Sequence, residues 1–195
     1  MSTTTAIRTI EGLELPAPGE WTIDPSHSAV TFSSRHLGVG KVRGRFKALE
    51  GSLRIGERPQ DSEVEVRIDA ASIDTGTEQR DDHLRSPDFL DVERYPHLTY
   101  RSTALERTGE DGFVLQGELT IRDVTRPVDL EVTYDGAGHD PWGGTRTAFT
   151  ARAEIDREDF GITWNQVLET GGFLVGRKVR IEIEVEAARA AAKAA

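Results

Sequence analysis

Five histidines, at positions 27, 36, 83, 97 and 139, are the side chains of this sequence best suited to exchanging protons or holding a metal near neutral pH. A metal site needs several nitrogens or carboxylates to converge, and no HExxH or other tight ligand spacing is present. Two readings remain: a subset of the histidines gathers at one rim of the fold, or each pins a loop through a ring hydrogen bond. The densest titratable run is Arg80, Asp81, Asp82 and His83, which offers an acid, a base and a cation within four positions. Residues three or four apart share a helix face, so Arg80 and His83 would meet while Asp81 and Asp82 diverge. That pattern favours a structural segment, with Arg80 paired to a carboxylate and Leu84 and Phe89 plugging an apolar end, over general acid–base chemistry. Ser26, Ser28 and Ser33 lie near His27 and His36 but lack the glycine-flanked turn of a hydrolase nucleophile. The run GVGKVRG at 38–44 loosely resembles a dinucleotide fingerprint. It is followed by an alternating VRGRF instead of a helix, so a phosphate would meet no helix N-terminus, and the run reads as a β-turn. With no cysteine, thiolate nucleophiles and thiolate metal sites are excluded. No catalytic set, cofactor motif or metal-ligand set emerges, and the chain is expected not to be an enzyme.

The elements that must carry these residues are strands. Val64, Val66 and Ile68 alternate with charged or polar residues, as do Val128, Leu130, Val132 and Tyr134, and Val179, Ile181, Ile183 and Val185. Period two puts one dry and one wet face on each strand, which is the pattern of antiparallel sheet with solvent on one side. Weaker alternation runs through 30–34, 46–55, 98–102, 113–121 and 147–155, giving about eight strands. The one good helix candidate lies near residues 77–86, where Thr77 is placed to cap the first turn and Pro87 to end it. One short helix cannot cover a sheet, so the strands must face each other as a sandwich or a closed barrel. Ala151, Ala153 and Gly117 fall on the apolar faces. They either leave room for a small ligand or sit opposite large partners in a solid core.

Residues 1–20, with Pro16 and Pro18, read as an N-terminal arm, 21–187 as the β-barrel domain, and 188–195 as a flexible alanine-rich tail. No run approaches the roughly 18 apolar residues of a membrane span, and the first residues lack a basic start followed by an apolar core, so the expected location is the cytoplasm. A formal charge of -10 repels polyanions and argues against a nucleic-acid partner. Within this acidic chain Arg35, Lys41, Arg43, Arg45 and Lys47 form a local basic set, either a solvated strand face or a contact for anionic headgroups.

The strings WTIDPSHSAVTFSSRHL (21–37), VRGRF (42–46), SIDTG (72–76), RDDHLRSPDFLDVERYP (80–96), LTIRDVTRPVDLEV (119–132) and DREDFGI (156–162) occur in an order that resembles the YceI-like family of polyisoprenoid-binding proteins. Trp21, Asp24, His27, Ser28 and Phe32 fall on the family's first-strand pattern. Arg80, Asp81, His83, Leu84, Pro87 and Phe89 fall on its helical crossing, followed by Tyr95 and Pro96, and Thr125 and Pro127 on a turn before a strand. Arg122 and Asp123 depart from the shorter polar residue and glycine frequent there, and the export signal of many periplasmic members is missing. The resemblance implies an all-β, eight-stranded antiparallel lipocalin-like barrel whose apolar interior holds a long isoprenoid chain such as that of a quinone, in a protein usually found as a homodimer.

Joined to the alternation, this gives an expected ligand-binding lining of Phe32, Phe46, Val66, Phe113, Leu115, Leu119, Phe149, Ile155, Phe160, Trp164 and Phe173. A slip of one register would turn the whole set outward. Trp142, between Pro141 and Gly143, belongs on a turn. The expected function is non-enzymatic binding or carriage of an isoprenoid lipid or quinone-like amphiphile, with at most transient membrane contact. The alternatives are a lipocalin-like hydrolase or isomerase using the rim histidines His27 or His83, and a solid-cored protein-interaction or stress-response module.

Overall fold

The alternating segments become eight continuous staves, several of them kinked, in a computed structural model that describes residues 7–10, 12–169 and 171–189. A short hairpin, β1 (Ile7–Ile10) and β2 (Leu13–Pro16), comes first. The first stave follows as β3 (Gly19–Ile23) and β4 (Ala29–His36), and the second as β5 (Gly40–Phe46) and β6 (Leu49–Ile55). The third is β7 (Glu63–Asp69), extended by β8 (Ile73–Asp74). Helix α1 (Glu78–Arg85) crosses to β9 (His97–Arg107) and β10 (Gly112–Ile121). The last three staves are β11 (Val124–Pro127) with β12 (Leu130–His139), β13 (Thr145–Asp156) and β14 (Val175–Arg189). Every neighbouring pair is antiparallel. Closure comes from β14, which pairs with β13 along one edge and with β3 and β4 along the other, making an eight-strand barrel. Closure removes the unpaired sheet edges that an open arrangement would expose.

The strong alternation sets the inner face. Val64, Val66, Ile68, Leu130, Val132, Ile181, Ile183 and Val185 all point into the interior, and their charged neighbours face water. At the tip between β4 and β5, Leu37 and Gly38 both have left-handed backbones (φ 56° and 73°), at the centre of a β-turn closed by the Val39 N–H on the His36 carbonyl at 3.3 Å, within a three-residue loop between His36 and Gly40. GVGKVRG is therefore a turn leading into a strand. Among the described residues no helix is long and apolar enough to cross a membrane.

Local readings change in four places. Within residues 1–20, β1 and β2 pair from Ile7 opposite Pro16 to Ile10 opposite Leu13, and Leu15 is buried with Phe113 and Tyr134. Four-residue strands are too short to register as a period. At the other end Ala188 and Arg189 continue β14 against Thr22 and Trp21, while positions 190–195 of the alanine-rich tail lie outside the described residues. Thr77 occupies the cap position of α1 but does not cap it. Its hydroxyl accepts from Arg80 Nη2 at 3.1 Å, and buried Asp81 instead accepts from the backbone N–H and the hydroxyl of Thr75 at 2.8 and 2.5 Å. Gly117 does not widen the interior, because the ring of Tyr100 lies where its Cβ would be, and the Tyr100 hydroxyl donates to the carbonyls of Leu115 and Val128. Ala151 does line open space.

Candidate functional site: two chambers in the barrel

The interior holds two adjoining cavities, or chambers, that have Phe32, Leu98 and Ile121 in common. The narrow chamber, about 210 Å³, lies toward the β1–β2 hairpin. Its wall is built from inward positions of nearly every stave, including Ile23, Leu53, Val66, Phe113, Leu115, Leu119 and Phe149. The hairpin closes this end: Arg8 reaches from β1 to donate to the carbonyls of Glu57 and Gly56 at 2.5 and 2.6 Å. Nearby Trp21 is fully buried and donates its indole N–H to the carbonyl of Ala17.

The wide chamber, about 510 Å³, lies under α1 and the segment that joins β13 to β14. Phe46, Ile73, Leu84, Phe89, Ile155 and Trp164 give it an apolar body, and Ser34, Arg35, His36, Thr77, Gln79, Arg80, His83 and Arg157 bring polar atoms to its wall. The aromatic corner is ordered by contact: His83 stands edge-on to Trp164 (4.6 Å) and to Phe89 (5.0 Å), and its Nε2 lies 2.9 Å from Asp88 Oδ2. Arg80 donates to Thr75 Oγ1 at 2.7 Å and to the Thr75 carbonyl at 2.9 Å as well as to Thr77, so its partners are two hydroxyls and a carbonyl and not the expected carboxylate.

Arg157 is the side chain that composition and spacing did not single out. A single 3-10 turn, Arg157–Phe160, is opened by Asp156, whose side chain accepts from the Glu158 N–H, and closed by Gly161 in the left-handed region. The turn swings Arg157 inward until only 4% of it is exposed. Its Nε donates to the Gly176 carbonyl, and its Nη1 to those of Ile162 (2.7 Å) and Trp164 (2.9 Å), which fixes the loop that carries Trp164. Burial pulls its pKa down, but a guanidinium remains charged across the physiological range. The caps at Asp156 and Gly161 are legible in DREDFG as one bracketed turn; the inward direction of Arg157 is not.

Nine of the eleven expected lining residues are on the chamber walls: Val66, Phe113, Leu115, Leu119 and Phe149 in the narrow one, Phe46, Ile155 and Trp164 in the wide one, and Phe32 between them. Phe160 is buried in the core beside the chambers, lining neither. Phe173 is turned out, 60% exposed, and this corrects the expectation. It sits in a loop segment paired only by a bridge to Val167, where no strand register governs its direction. Trp142 is on an exposed turn.

The histidines do not gather. His27 lies 3.0 Å from Asp24, His139 near Thr145, and His97 beside Arg67, while His36 and His83 reach the wide chamber. Among the described residues one group has metal-ligand proximity, namely Asp24, His27 and Glu186. Arg146 already fills that position with its guanidinium, bonded to Asp24 at 2.5 Å and to Glu186 at 2.7 Å. It holds the Asp24 carboxyl far below the usual carboxylate range. A cation there would have to displace another cation.

Residues 21–187 match the family model of the YceI-like domain. The protein YceI of Escherichia coli O17:K52:H18 is 42% identical over 137 residues, 70% of this chain and 71% of that protein. A UPF0312 protein of Azotobacter vinelandii is 39% identical over the same shares. Among solved structures, BcnA of Burkholderia cenocepacia superposes with a TM-score of 0.73 at 24% identity over 84% of this chain and 98% of that one. A polyisoprenoid binding domain from Saccharophagus degradans superposes with 0.69 at 14% identity, over 89% and 100%. The closed barrel, its α1 crossing and the match across the whole domain make this chain a member of the YceI-like family.

Proposed function

We propose that this protein binds and carries a long isoprenoid lipid or quinone-like amphiphile inside the barrel, without acting on it chemically. The observation that carries the reading is the pair of adjoining chambers, one with polar groups on its wall and the other with a nearly pure hydrocarbon lining. Each CH₂ removed from water contributes about 0.8 kcal/mol, against about 1 kcal/mol net for an ordinary hydrogen bond. A tail of a dozen carbons therefore outweighs any single polar contact, and a binding site of this kind needs no sharp motif. The Saccharophagus neighbour, a polyisoprenoid binding domain of the same fold, supports the same ligand class.

The route of entry fits brief contact with a membrane surface. Leu37 and Val39 on the β4–β5 tip and Val167 and Phe173 on the neighbouring loop are exposed, and the Leu37 N–H binds the Leu174 carbonyl at 2.9 Å, so the two apolar tips stand together beside the wide chamber. Arg35 and Lys41, paired across the same hairpin, set positive charge next to them.

A hydrolase or isomerase reading has less support. His83 has a carboxylate partner as a general base would, but Ser34, the serine on the same chamber wall, gives its hydroxyl to the carbonyls of Gly176 and Lys178. His27 is engaged with Asp24, on the cluster held by Arg146. The test is extraction of freshly purified protein into organic solvent followed by mass spectrometry. The expected result is one long apolar compound in near-stoichiometric amount; protein that repeatedly arrives empty and takes up no prenyl lipid would overturn the reading.

A further inference from the structure

The wide chamber carries charge of one sign. His36, Arg80, His83 and Arg157 lie on its wall, and among the described residues no aspartate or glutamate does, in a chain with ten more acidic than basic side chains. Arg157 is the decisive member. Three of its donor directions are taken by the carbonyls of Gly176, Ile162 and Trp164, but Nη2 is buried and has no partner among the described residues. Its chain neighbours Asp156 and Glu158 stabilise the charge from a distance, yet both commit their carboxylates to Arg177, at 2.9 and 3.0 Å. A buried donor left unpaired is costly, and more so when charged. A buried positive group at the wall of an apolar cavity, with no acid on that wall, favours an anion inside the cavity over a neutral head.

We infer that the ligand's head is anionic, a carboxylate or a phosphate seated against Arg157 with Arg80 and His83 beside it, while its tail passes Phe32 into the narrow chamber. This rests on the lipid-binding reading above and narrows it, because a neutral quinone or alcohol head would gain nothing from the positive charge on this wall. Both carboxylates and phosphates have the acceptor oxygens that a guanidinium fork recognises.

The test compares heads on matched tails by titration calorimetry with the full, delipidated chain: geranylgeranyl phosphate against geranylgeraniol, and palmitate against hexadecanol. The expected result is that at least one anion binds ten times or more tightly than the alcohol with its tail, and that Arg157→Gln brings that ratio toward one. Preference confined to the phosphate pair identifies a prenyl phosphate as the source of the anion, and preference confined to the palmitate pair a fatty acid. Alcohols that bind as tightly as both anions overturn the inference and leave the lipid-binding reading standing. Failure of all four to bind overturns both. If Arg157→Gln does not fold, because three loop carbonyls lose their donor, the wild-type ratios decide alone.

Discussion

The two ends of the barrel were built by different means. The hairpin end is made of strand interiors: Ile23, Leu53, Val66, Leu115 and Leu130 reach it because alternate residues of a stave must point inward once the other set is charged. The helix end is made of interruptions, namely α1, the 3-10 turn at Arg157–Phe160 and the loop to β14, and its walls mix leucine and tryptophan with arginine and histidine. The narrow chamber offers area and little else. The wide one offers direction, since a ligand with two different ends has only one orientation in which its polar end meets polar atoms.

Two tryptophans give the largest test of that division. Trp21 is wholly buried among Ile23, Leu49, Leu53 and Ala187, with its N–H bonded to Ala17. Trp164 is half-buried on the wide chamber wall, in ring contact with His83 and Phe89. Trp21→Ala is expected to lower unfolding free energy by about 3–5 kcal/mol, the usual cost of deleting a core aromatic. Trp164→Ala is expected to lose about 1 kcal/mol or less, because its ring borders open space, and to weaken lipid binding severalfold. Urea unfolding and calorimetric titration of the two variants separate the effects. Equal stability losses would mean that the helix end is core and not a chamber.

The next effect isolates the narrow chamber. Ala151 is a small residue on its wall, and Ala151→Phe would place a ring in the path of the tail. Overpacking of this kind costs about 1–3 kcal/mol of stability. The functional signature is more telling: affinity for prenyl chains of twenty carbons should fall at least tenfold, while chains of ten carbons, too short to fill both chambers, should bind within about twofold of wild type. Equal losses for both lengths would show that the tail does not enter the hairpin end.

The same division explains what was legible in the residues. Val64, Val66 and Ile68, or Ile181, Ile183 and Val185, announce their direction because period two is imposed by the backbone and needs no knowledge of what lies opposite. Eight of the nine lining residues follow from it, Trp164 being on the loop between β13 and β14. Phe173 does not, since the segment before β14 is held by Asn165, whose side chain bonds both the N–H and the carbonyl of Val175, and a loop fixed in this way has no face to alternate. Gly117 was open to two readings for a different reason: a small residue makes room, but whether the room stays open depends on the neighbour across the sheet, and Tyr100 fills it. Arg157 lay beyond reach altogether, because a charged residue in a charged run gives no sign that a capped turn will bury it.

The smallest expected effect concerns Leu37, where the tip serves two demands at once. Its φ of 56° places a leucine in the left-handed region, which costs an L-residue with a Cβ about 1–2 kcal/mol. The hairpin turn here requires positive φ at both central positions, and Asn followed by glycine is the sequence that adopts it most readily. Leu37→Asn would leave Gly38 in place and complete that pair. It is expected to raise unfolding free energy by about 0.5–1 kcal/mol, read as a shift in the urea midpoint at constant slope. Leu37 is also 45% exposed beside Val39 and the loop of Phe173, where a polar residue relieves the backbone at the expense of apolar surface. If that surface loads ligand from a membrane, the stabilised variant should bind lipid added in detergent as the wild type does, yet take it up more slowly from vesicles. Gain in stability with unchanged uptake would assign the exposed leucine to the turn alone and move the entry point elsewhere on the rim.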